Sequence, residues 1–536
     1  MATEELEVDV VVVGAGPVGE NVADRVIAGG LTAVVVEAEL VGGECSFWAC
    51  MPSKALLRAG QALRAAQGLS GAREAVTATL DPSALLAHRD GVVAAYDDAG
   101  QVPWLDGIGA RLVRGHARLA GERLVEVYGG NRLAVGRHTG LTGAEPDRAD
   151  GGRAELGSWG SDSPAGSRGY AGSDGSAGSE PGRATDDAPH TRLRARHAVV
   201  VATGSNAALP PIPGLDGARA WTAREATGAT AVPARLTVLG GGVVGVEMAT
   251  AFSDLGSTVT VLVRGPRVLE TAEERASDLV MAALRDRGVD VRASTAVVAV
   301  ERTAAGVTVT TESGEEVVGD ELLVAVGRTP ASGDLGLSSV GLRDGSWLPT
   351  DDSGLVTGVG GGWLYAAGDI THRVLLTHQG KYEARAIGDV IAARARGLDE
   401  GDPGLRPWGR YVSTADDAAV PQVVFTSPEV ASVGLTEAAA RDRGLSVGVV
   451  EYDLGAVSGA HLAAEDYIGW AKCVYDTGRR VVLGVTLVGP DVAEMIHAAT
   501  VMVVGEVPLH RLWHAVPSYP TFSEVWLRLL EGIGRE

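Results

Sequence analysis

The chain of 536 residues is 45% hydrophobic and 21% charged, which allows roughly three or four domains with substantial cores. Its net charge of −22 at pH 7 disfavours nucleic acid and anionic membrane surfaces as partners, because both repel an acidic protein. The acidic N-terminal residues are not typical of a signal peptide, and no apolar run reaches the roughly 18 residues that span a bilayer. Three cysteines do not make a disulfide framework, so we expect a soluble, cytoplasmic protein.

A strand, a glycine turn, a helix and a second strand open the chain. The β-branched run VDVVVV is followed at once by GAGPVG, then by a helix-like stretch to Ala28 and by TAVVVE, which ends at Glu37. Gly14 permits the tight turn, Gly16 lets the backbone approach a pyrophosphate, and Gly19 allows close packing of helix on strand. The helix N-terminus offers N–H groups to the anion, and Glu37 can accept from both ribose hydroxyls. This combination predicts a dinucleotide-binding unit.

The same arrangement recurs in LTVLGGGVVGVEMATAFSDLGSTVTVLVR, so one chain contains two dinucleotide-binding units. Gly240, Gly242 and Gly245 repeat the three glycines. The second strand ends at Arg264 instead of a carboxylate, and Arg267 follows, which favours the 2′-phosphate of NADPH. Alternatively, both arginines are solvated surface residues.

The middle and C-terminal parts of the chain differ in composition. Residues 139–190 are rich in Gly, Ser, Asp and Pro without a hydrophobic period, which indicates a disordered insertion in a surface loop. LRARHAVVVATGS, ELLVAVGRTP and WLYAAGDI each indicate a strand that leads into a turn. From VPQVVFTSPEVASVGLTE onward, hydrophobic alternation with two helical segments indicates an α+β domain. The predicted fold class is α/β, with two Rossmann-like dinucleotide-binding domains and a C-terminal α+β domain.

Two of the three cysteines, Cys45 and Cys50, lie five positions apart in GGECSFWACMPSK. On a regular helix this spacing rises about 7.5 Å, whereas a disulfide needs Cα atoms roughly 4.4–6.8 Å apart. If the pair forms a disulfide, the backbone between the cysteines is therefore irregular, and the preceding glycines and Pro52 favour irregularity. The following SKALLRAGQALRAA is helical in period, so Cys50 lies near a helix N-terminus, which lowers a thiol pKa. Structural cysteines and a metal site are alternatives, but no His or Cys cluster supplies further ligands. A redox-active dithiol is favoured, and no metal is expected.

The chain resembles the class I pyridine nucleotide–disulfide oxidoreductases, which include dihydrolipoamide dehydrogenase, glutathione reductase and mercuric reductase. The stretches that carry the resemblance occur in the family's order and cover nearly the whole chain outside the insertion. They are GAGPVG, GGECSFWACMPSK, VVVATGS, GGGVVGVEMA, LLVAVGRTP, LYAAGDI, FTSPEVASVGLTE, GPDVAEMI and YPTFSE.

The resemblance implies FAD on the first glycine motif, NAD(P)H on the second and a homodimer with a small-molecule substrate. It implies that Cys50 faces the flavin as a thiolate, that Cys45 attacks the substrate, and that Lys54 stands beside the flavin with Glu247 as its carboxylate partner. The remaining positions implied are Thr203, Gly204 and Asp369 for FAD, and Val243 and Gly327 for NAD(P)H. The implied division is an FAD domain at 1–217, an NAD(P) domain at 218–345, a return segment at 346–418 that completes the FAD domain, and a dimerisation domain at 419–536.

The sequence departs from the family pattern at its C-terminus. The family places a histidine before PTxSE, contributed across the dimer, whereas Tyr519 stands there and Glu524 keeps the carboxylate position. A tyrosine with a pKa near 10 is a poorer base than a histidine near 6.5. His514 could substitute, although a surface or interface role is expected for it. Mercuric reductases have a vicinal cysteine pair at the C-terminal end, whereas Cys473 is alone here, and we expect it to pack in a core strand.

The cysteine loop also departs from the family, with Ser46, Phe47, Trp48 and Ala49 between the two cysteines. The favoured function is a homodimeric FAD enzyme that passes electrons from NAD(P)H through the cysteine pair to a disulfide-type acceptor. One alternative is direct transfer from reduced flavin to a quinone or a metal ion. Another is a redox-sensing flavoprotein without turnover.

Overall fold

The first nucleotide-binding unit is built around a sheet of valine-rich strands. The computed structural model describes residues 3–129 and 188–535. In chain order this unit comprises β1 (Glu4–Val13), α1 (Pro17–Ala28), β2 (Ala33–Glu37), α2 (Gly43–Phe47), α3 (Cys50–Gln67), α4 (Ala72–Ala75), α5 (Pro82–Val92), α6 (Val102–Ile108), β3 (Arg111–Arg114), β4 (His116–Leu119), β5 (Leu124–Tyr128), β6 (Thr191–Val201) and β7 (Ser205–Ala207). The predicted insertion at 139–190 lies outside the described residues except for its last three positions.

The second unit and the segment after it contain α7 (Ala223–Thr227), β8 (Arg235–Leu239), α8 (Val243–Asp254), β9 (Thr258–Leu262), α9 (Glu274–Asp286), β10 (Asp290–Arg292), β11 (Val297–Thr303), β12 (Gly306–Thr311), β13 (Glu316–Gly319), β14 (Glu321–Val324), β15 (Arg328–Pro330), β16 (Leu364–Ala366), α10 (Thr377–Ala395) and α11 (Ala415–Ala418). The C-terminal unit contains β17 (Gln422–Val424), β18 (Glu429–Gly434), α12 (Glu437–Asp442), β19 (Val447–Tyr452), α13 (Ser458–Ala463), β20 (Trp470–Asp476), β21 (Val481–Gly489), α14 (Ile496–Val504), α15 (Leu509–Leu512) and α16 (Glu524–Ile533).

The first sheet has the strand order β3-β2-β1-β6-β5-β4, with β16 also paired to β6. Strands β3, β2, β1, β6 and β16 run parallel, whereas β4 and β5 form an antiparallel extension. The parallel strands are buried on both faces, which favours their continuous runs of β-branched residues. Because β16 follows the second unit in sequence, the chain returns to the first sheet after leaving it.

The second sheet has the parallel order β10-β9-β8-β14 and is accompanied by the antiparallel ribbon β11-β12-β13. The fold class predicted from the two glycine motifs is confirmed, since each motif joins a central parallel strand to a helix. Among the described helices, none combines the length and the apolar character that a membrane span requires.

The C-terminal unit is an antiparallel sheet in the order β17-β18-β21-β20-β19, covered by helices. This confirms the predicted α+β domain but corrects its helix content. The sequence indicated two helical segments, and α14 and α16 are the longer helices found there. The described residues after 419 also form α12, α13 and α15, which have only four to six residues and are too short to show a hydrophobic period.

A buried lysine joins the second unit to the C-terminal unit. Lys472 on β20 is 6% exposed, and its Nζ lies 2.8 Å from a carboxylate oxygen of Glu273 and 2.8 Å from one of Glu437. Glu273 also accepts the backbone N–H of Glu437 at 2.8 Å. Because these charges are withdrawn from water, each depends on the others for compensation.

We expect Lys472→Met to lower the free energy of unfolding by about 3–5 kcal/mol, because it leaves buried Glu273 without its cation. Guanidinium denaturation followed by circular dichroism measures this change. The matched double variant, Lys472→Met with Glu273→Gln, should recover part of the loss. A single variant as stable as the unmodified protein would contradict the compensation argument.

Candidate redox and nucleotide site

The first glycine turn, between β1 and α1, is closely packed by backbone atoms. Gly14 has φ 104°, and a Cβ built on it would lie 2.5 Å from the carbonyl oxygen of Ala202. A Cβ on Gly19 would lie 1.9 Å from the carbonyl oxygen of Gly14. Gly16, in contrast, has no atom closer than 3.9 Å to such a Cβ, and it begins α1 without a side-chain cap. The open helix N-terminus is therefore available to an anion.

Glu37 at the end of β2 faces this turn. One carboxylate oxygen accepts the N–H of Ala15 at 2.6 Å, and the other accepts the N–H of Glu39 at 2.7 Å. Burial raises the pKa of Glu37, although the two backbone donors oppose that effect. The structure thus holds the carboxylate at the end of β2 beside the first glycine turn, and its predicted contact with ribose hydroxyls stays a prediction.

The polar groups around the first turn fit a bound dinucleotide such as FAD. Thr203 Oγ1 is buried and has no hydrogen-bond partner among the described residues, and the adjacent Gly204 has φ 73°. Asp369, just after β16, accepts a hydrogen bond from Ser205 Oγ at 2.5 Å. Thr203 and Asp369 follow neighbouring strands at their carboxyl ends, the edge of an open α/β sheet where ligands bind. An orphaned buried hydroxyl is satisfied when a ligand supplies its partner.

The second glycine turn, between β8 and α8, has the same construction. Gly240 has φ 116°, and a Cβ on Gly245 would lie 2.1 Å from the Gly240 carbonyl oxygen. A Cβ on Gly242 would meet nothing within 4 Å, so open space lies beside the helix N-terminus. Gly327, in the turn after β14, has φ 141° and similarly open surroundings. Val243 at the start of α8 is 43% exposed.

The two arginines expected near this turn differ in their contacts. Arg264 is exposed, and within the described part of the chain its side chain has no hydrogen-bond or ion-pair partner. Arg267 instead forms an ion pair with Glu274 at 2.6 Å. Glu274 lies in the first turn of α9, where it can reach back to the preceding loop. Of the two, only Arg264 has a guanidinium that no carboxylate neutralises.

The cysteine loop interrupts what would otherwise be one helix. Helix α2 ends at Phe47, Ala49 has φ −125° and ψ −93°, and α3 begins at Cys50. This break confirms that the backbone between the two cysteines is irregular. It also places Cys50 at the N-terminus of an 18-residue helix, as its sequence context predicted.

The two thiols have opposite pKa shifts. A hydrogen bond from Cys45 lowers the pKa of Cys50 to about 6, with further support from Thr377 and from the charge of Lys54 and against the effect of burial. The same interaction, together with burial, raises the pKa of Cys45. Cys50 is therefore the thiolate of the pair at neutral pH, and Cys45 keeps its proton.

Lys54 lies one helical turn after Cys50. Its ammonium contacts Glu247 in the second unit and Phe425 in the C-terminal unit. Its Nζ lies 2.8 Å from Glu247 Oε2 and 4.9 Å from the centroid of the Phe425 ring. Glu247 on α8 is 3% exposed, and its second oxygen accepts the N–H of Phe425 at 3.0 Å. The structure thus brings together Lys54 and Glu247, which the sequence resemblance had paired.

Sequence reasoning missed three groups at this site. Thr377 Oγ1 lies 3.4 Å from Cys50 Sγ, and Ser205 and Arg328 contact the carboxylate of Asp369. The sequence could have drawn attention to Thr377, because this residue begins the long helix that follows the AAGDI turn. Arg328 stands in the quoted GRTP motif, where only the preceding glycine had been assigned.

The C-terminal residues are not paired as the resemblance implied. Tyr519 is 77% exposed in the single chain, and its hydroxyl has no partner within the described residues. Glu524 is 8% exposed and binds Arg528 at 2.5 Å, one turn along α16, and also the N–H of Ser458. A local i,i+4 partner has taken the carboxylate, so Glu524 does not contact Tyr519. His514 is exposed. Cys473 is 4% exposed in β20, as predicted for a core strand.

The family models match almost the whole described chain. A model described as pyridine nucleotide-disulphide oxidoreductase matches residues 8–139 and 180–396, and the dimerisation domain of the same family matches residues 420–529. The chain belongs to the pyridine nucleotide-disulphide oxidoreductase family. It is an FAD-containing oxidoreductase that uses NAD(P)H and acts on sulfur groups, and its dimerisation domain indicates a homodimer. The family and the activity class expected from the motifs are confirmed.

Relatives and solved structures agree with this assignment. The chain is 30% identical to dihydrolipoyl dehydrogenase from Thermus scotoductus, with 98% of both proteins covered. It is 26% identical to mercuric reductase from Staphylococcus aureus, covering 96% of this chain and 80% of that protein. The fold is similar to the Cu(II) complex of the HOCl-induced flavoprotein disulfide reductase RclA from Escherichia coli, with a TM-score of 0.74, 22% identity and coverage of 99% and 100%. LpdA from Mycobacterium tuberculosis gives a TM-score of 0.74 at 23% identity, with coverage of 98% and 100%.

A buried pair of carboxyl groups lies behind the turn that carries Asp369. Glu383 accepts the N–H of Gly368 at 2.7 Å, and Asp416 accepts from Gln379 Nε2 at 2.7 Å. The second oxygens of both carboxyls have no hydrogen-bond partner among the described atoms, and Arg373 Nε stands 3.4 Å from that of Asp416. Burial, and then the charge of Asp416, raises the pKa of Glu383 to about 8, while burial also raises the pKa of Asp416. One proton shared by the two groups satisfies both free oxygens.

We expect this pair to make stability fall as pH rises. A folded-state pKa above the ordinary 4.5 means that the folded protein binds the proton more tightly than the unfolded chain. Its stabilising contribution is therefore complete below pH 4.5 and is lost as pH rises towards about 8. Glu383→Gln should flatten the decline in melting temperature over this interval, whereas the exposed control Glu312→Gln should not. Parallel curves for the protein and Glu383→Gln would refute the shared proton.

Proposed function

We propose that the Cys45–Cys50 pair passes electrons from NAD(P)H to a disulfide-type acceptor, as in dihydrolipoamide dehydrogenases. The observation that carries this proposal is the placement of Cys50 at the start of α3, 3.4 Å from Thr377 Oγ1 and one turn before Lys54, which accompanies a lowered pKa for Cys50 and a raised pKa for Cys45. Thr377 and the charge of Lys54 stabilise the thiolate form of Cys50. We therefore assign Cys50 as the cysteine that faces the flavin. Cys45, the other member, is then the group that attacks the acceptor. The 30% identical dihydrolipoyl dehydrogenase supports this substrate class.

Bound FAD supplies two-electron transfer between the nicotinamide and a disulfide. The groups proposed to hold it are Gly14, Gly16, Gly19, Glu37, Thr203, Gly204 and Asp369. We assign Gly240, Gly242, Gly245 and Gly327 to NAD(P)H, on the strength of the second turn. Residues 1–217 with 346–418 would form the FAD domain, residues 218–345 the NAD(P) domain and residues 419–536 the dimerisation domain.

In this proposal Lys54 and Glu247 together stabilise negative charge at and beside Cys50. The ammonium of Lys54 stabilises the Cys50 thiolate and negative charge that develops next to it, while Glu247 fixes the position of the ammonium. Reduction of the disulfide takes up two electrons and, at neutral pH, leaves one proton on Cys45. Thiol–disulfide exchange with the acceptor then proceeds through a mixed disulfide at Cys45.

Proton transfer to the departing thiol of the acceptor is assigned to the partner subunit. The exposed surface around Tyr519 and Val516, which are 77% and 84% exposed in one chain, supports burial of this segment in the homodimer. A tyrosine is a weaker proton donor than a protonated histidine, and it is also a weaker base near neutral pH. The acceptor should therefore have a leaving thiol of low pKa. A cytoplasmic location remains a prediction.

A second candidate function is direct reduction of a quinone or a metal ion by the flavin. Tyr519 in place of the family's histidine favours it, because such acceptors release no thiol that needs a proton. The similarity to mercuric reductase from Staphylococcus aureus supports a metal ion as one such acceptor. Retention of both cysteines and their opposite pKa shifts support the disulfide pathway instead.

Cysteine variants separate these two functions. We expect Cys45→Ser and Cys50→Ser each to abolish NADPH-dependent reduction of lipoamide or a dithiobenzoate disulfide, because a single thiol cannot complete the two-electron exchange. Menadione reduction should persist, and Cys473→Ser should change neither activity. A disulfide reductase activity that survives both substitutions would overturn the proposed pathway, and faster turnover of menadione or Hg²⁺ than of every disulfide tested would favour the second candidate.

We propose a preference for NADPH over NADH through Arg264. Because its guanidinium is exposed and unpaired, Arg264→Gln should weaken NADPH binding roughly 10–100-fold and leave NADH binding unchanged, as expected for loss of a hydrogen bond to a charged group. Quenching of tryptophan fluorescence by each nucleotide measures both affinities. Arg267→Gln is the matched control and should have a smaller effect, since Glu274 already binds that guanidinium. Equal changes for both nucleotides would contradict the preference.

A further inference from the structure

The indole of Trp48, in the loop between the two cysteines, contacts one cationic and two aromatic side chains. The guanidinium carbon of Arg224 lies 4.2 Å from the centroid of the Trp48 ring. On another side the ring of Tyr96 stacks at 6.3 Å with an interplanar angle of 29°. Phe47, which is 1% exposed, packs at 5.7 Å from the same indole. Trp48 therefore has a fixed position despite lying at the break between two helices.

The backbone of Trp48 is fixed as well, from the beginning of the second nucleotide-binding unit. Its carbonyl accepts the hydroxyl of Thr227 at 2.8 Å, and Thr227 is 1% exposed. The carbonyl of Thr227 in turn accepts from Arg89, a residue that is also 1% exposed and that donates to the Ala229 carbonyl at 2.8 Å. The backbone of Trp48 is thus bound to Thr227, which cannot move without breaking buried hydrogen bonds.

Arg224 is itself oriented by two carboxylates. Its two terminal nitrogens bind the two oxygens of Glu39 at 3.1 and 3.0 Å, and one lies 3.8 Å from Glu44, which immediately precedes Cys45. A bidentate pair of this kind fixes the plane of the guanidinium. Arg224 therefore lies close to both Glu44, which precedes Cys45, and Trp48, which lies two positions before Cys50.

The segment that presents Tyr96 carries backbone strain. Ala94, Ala95 and Tyr96 have φ values of 48°, 50° and 62°, three consecutive residues in the left-handed region. This conformation is unfavourable for residues other than glycine. Such strain persists where surrounding contacts determine it, and it is concentrated at functional sites. Here it keeps the Tyr96 ring against Trp48.

We propose that Arg224 is a positioning residue which, through Trp48, holds the cysteine loop in the shape that closes the Cys45–Cys50 disulfide. This inference rests on the proposed function of the two cysteines. A disulfide requires Cα atoms roughly 4.4–6.8 Å apart, and the chain leaves helical geometry at Trp48 and Ala49. Both cysteines are free thiols in this structure, and fixing Trp48 limits how far the backbone between them can move. The aromatic interior of this loop, anchored by Arg224, makes the disulfide more resistant to reduction than a free loop would be.

The relevant equilibrium is exchange with glutathione. Cys45 as a thiol and Cys50 as a thiolate react with one glutathione disulfide to give the protein disulfide, one glutathione thiol and one glutathione thiolate, which takes a proton from solvent; two electrons pass from the cysteine sulfurs to the glutathione sulfurs. The equilibrium constant of this exchange becomes larger when the loop holds the sulfurs of Cys45 and Cys50 in a geometry that favours their disulfide. Loss of the cation–π contact at a partly desolvated site should lower this constant by about tenfold.

The test equilibrates the FAD-loaded enzyme anaerobically in glutathione buffers, without NAD(P)H, and measures the disulfide fraction by alkylation and mass spectrometry. We expect Arg224→Gln to lower the equilibrium constant by about tenfold, Arg224→Lys to lie between it and the unmodified enzyme, and the exposed control Arg443→Gln to have no effect. FAD content should be unchanged. In a Trp48→Leu background, Arg224→Gln should have no further effect, because Arg224 acts through the indole.

Each outcome has a separate meaning. The positioning role is overturned if the equilibrium constant of Arg224→Gln is within about twofold of that of the unmodified enzyme. It is also overturned if Arg224→Gln has an undiminished effect in the Trp48→Leu background. Neither outcome affects the proposed function. Failure of the unmodified enzyme to form the disulfide overturns the proposed function itself. If Arg224→Gln does not fold, Arg224→Lys and Trp48→Phe give the same decision, because each weakens the cation–π contact and should lower the constant, and a constant within about twofold of the unmodified enzyme in both overturns the positioning role.

Discussion

The ion pair between Lys54 and Glu247 is the interaction on which the arrangement of this site depends. Lys54 lies on the helix that begins at Cys50, whereas Glu247 lies on the helix that follows the second glycine turn. The other oxygen of Glu247 accepts the N–H of Phe425, at the start of the C-terminal unit. A carboxylate buried to this degree is strongly unfavourable without its partners. Three units of the chain are therefore held together within a few residues of the thiols.

This constraint explains how two chemically equivalent side chains acquire different properties. Cys50 lies at a helix N-terminus, beside Thr377 and one turn from Lys54, and all three effects favour a thiolate. Cys45 lies on the preceding short helix, where interaction with Cys50 and burial raise the pKa of its thiol. The difference arises from the break in the helix, because a continuous helix would have separated the two sulfurs. Packing of Trp48 against Arg224 and Tyr96 stabilises that break.

Sequence patterns do not identify the contact that forms where a side chain has a choice of partners. Glu524 occupies a position at which the family places a carboxylate beside the catalytic base, yet Arg528 lies one turn along the same helix and binds it. Arg267 looked equivalent to Arg264, but Glu274 neutralises it. In both cases a nearby opposite charge, brought close by local helix geometry, decided the contact. Spacing along the chain shows which residues can meet but does not rank competing partners.

The two glycine turns, the strands that lead into them, the position of Cys50 at a helix start and membership of the family could all be predicted from the residues alone. These features depend on local backbone conformation, such as the positive φ at Gly14 and Gly240, and on hydrophobic period, which short stretches specify. Contacts between distant segments became known from the folded chain. Thr377 is 327 positions from Cys50, and Arg224 is 185 positions from Glu39. Such pairs form because whole sheets and helices pack together, so no local pattern identifies them.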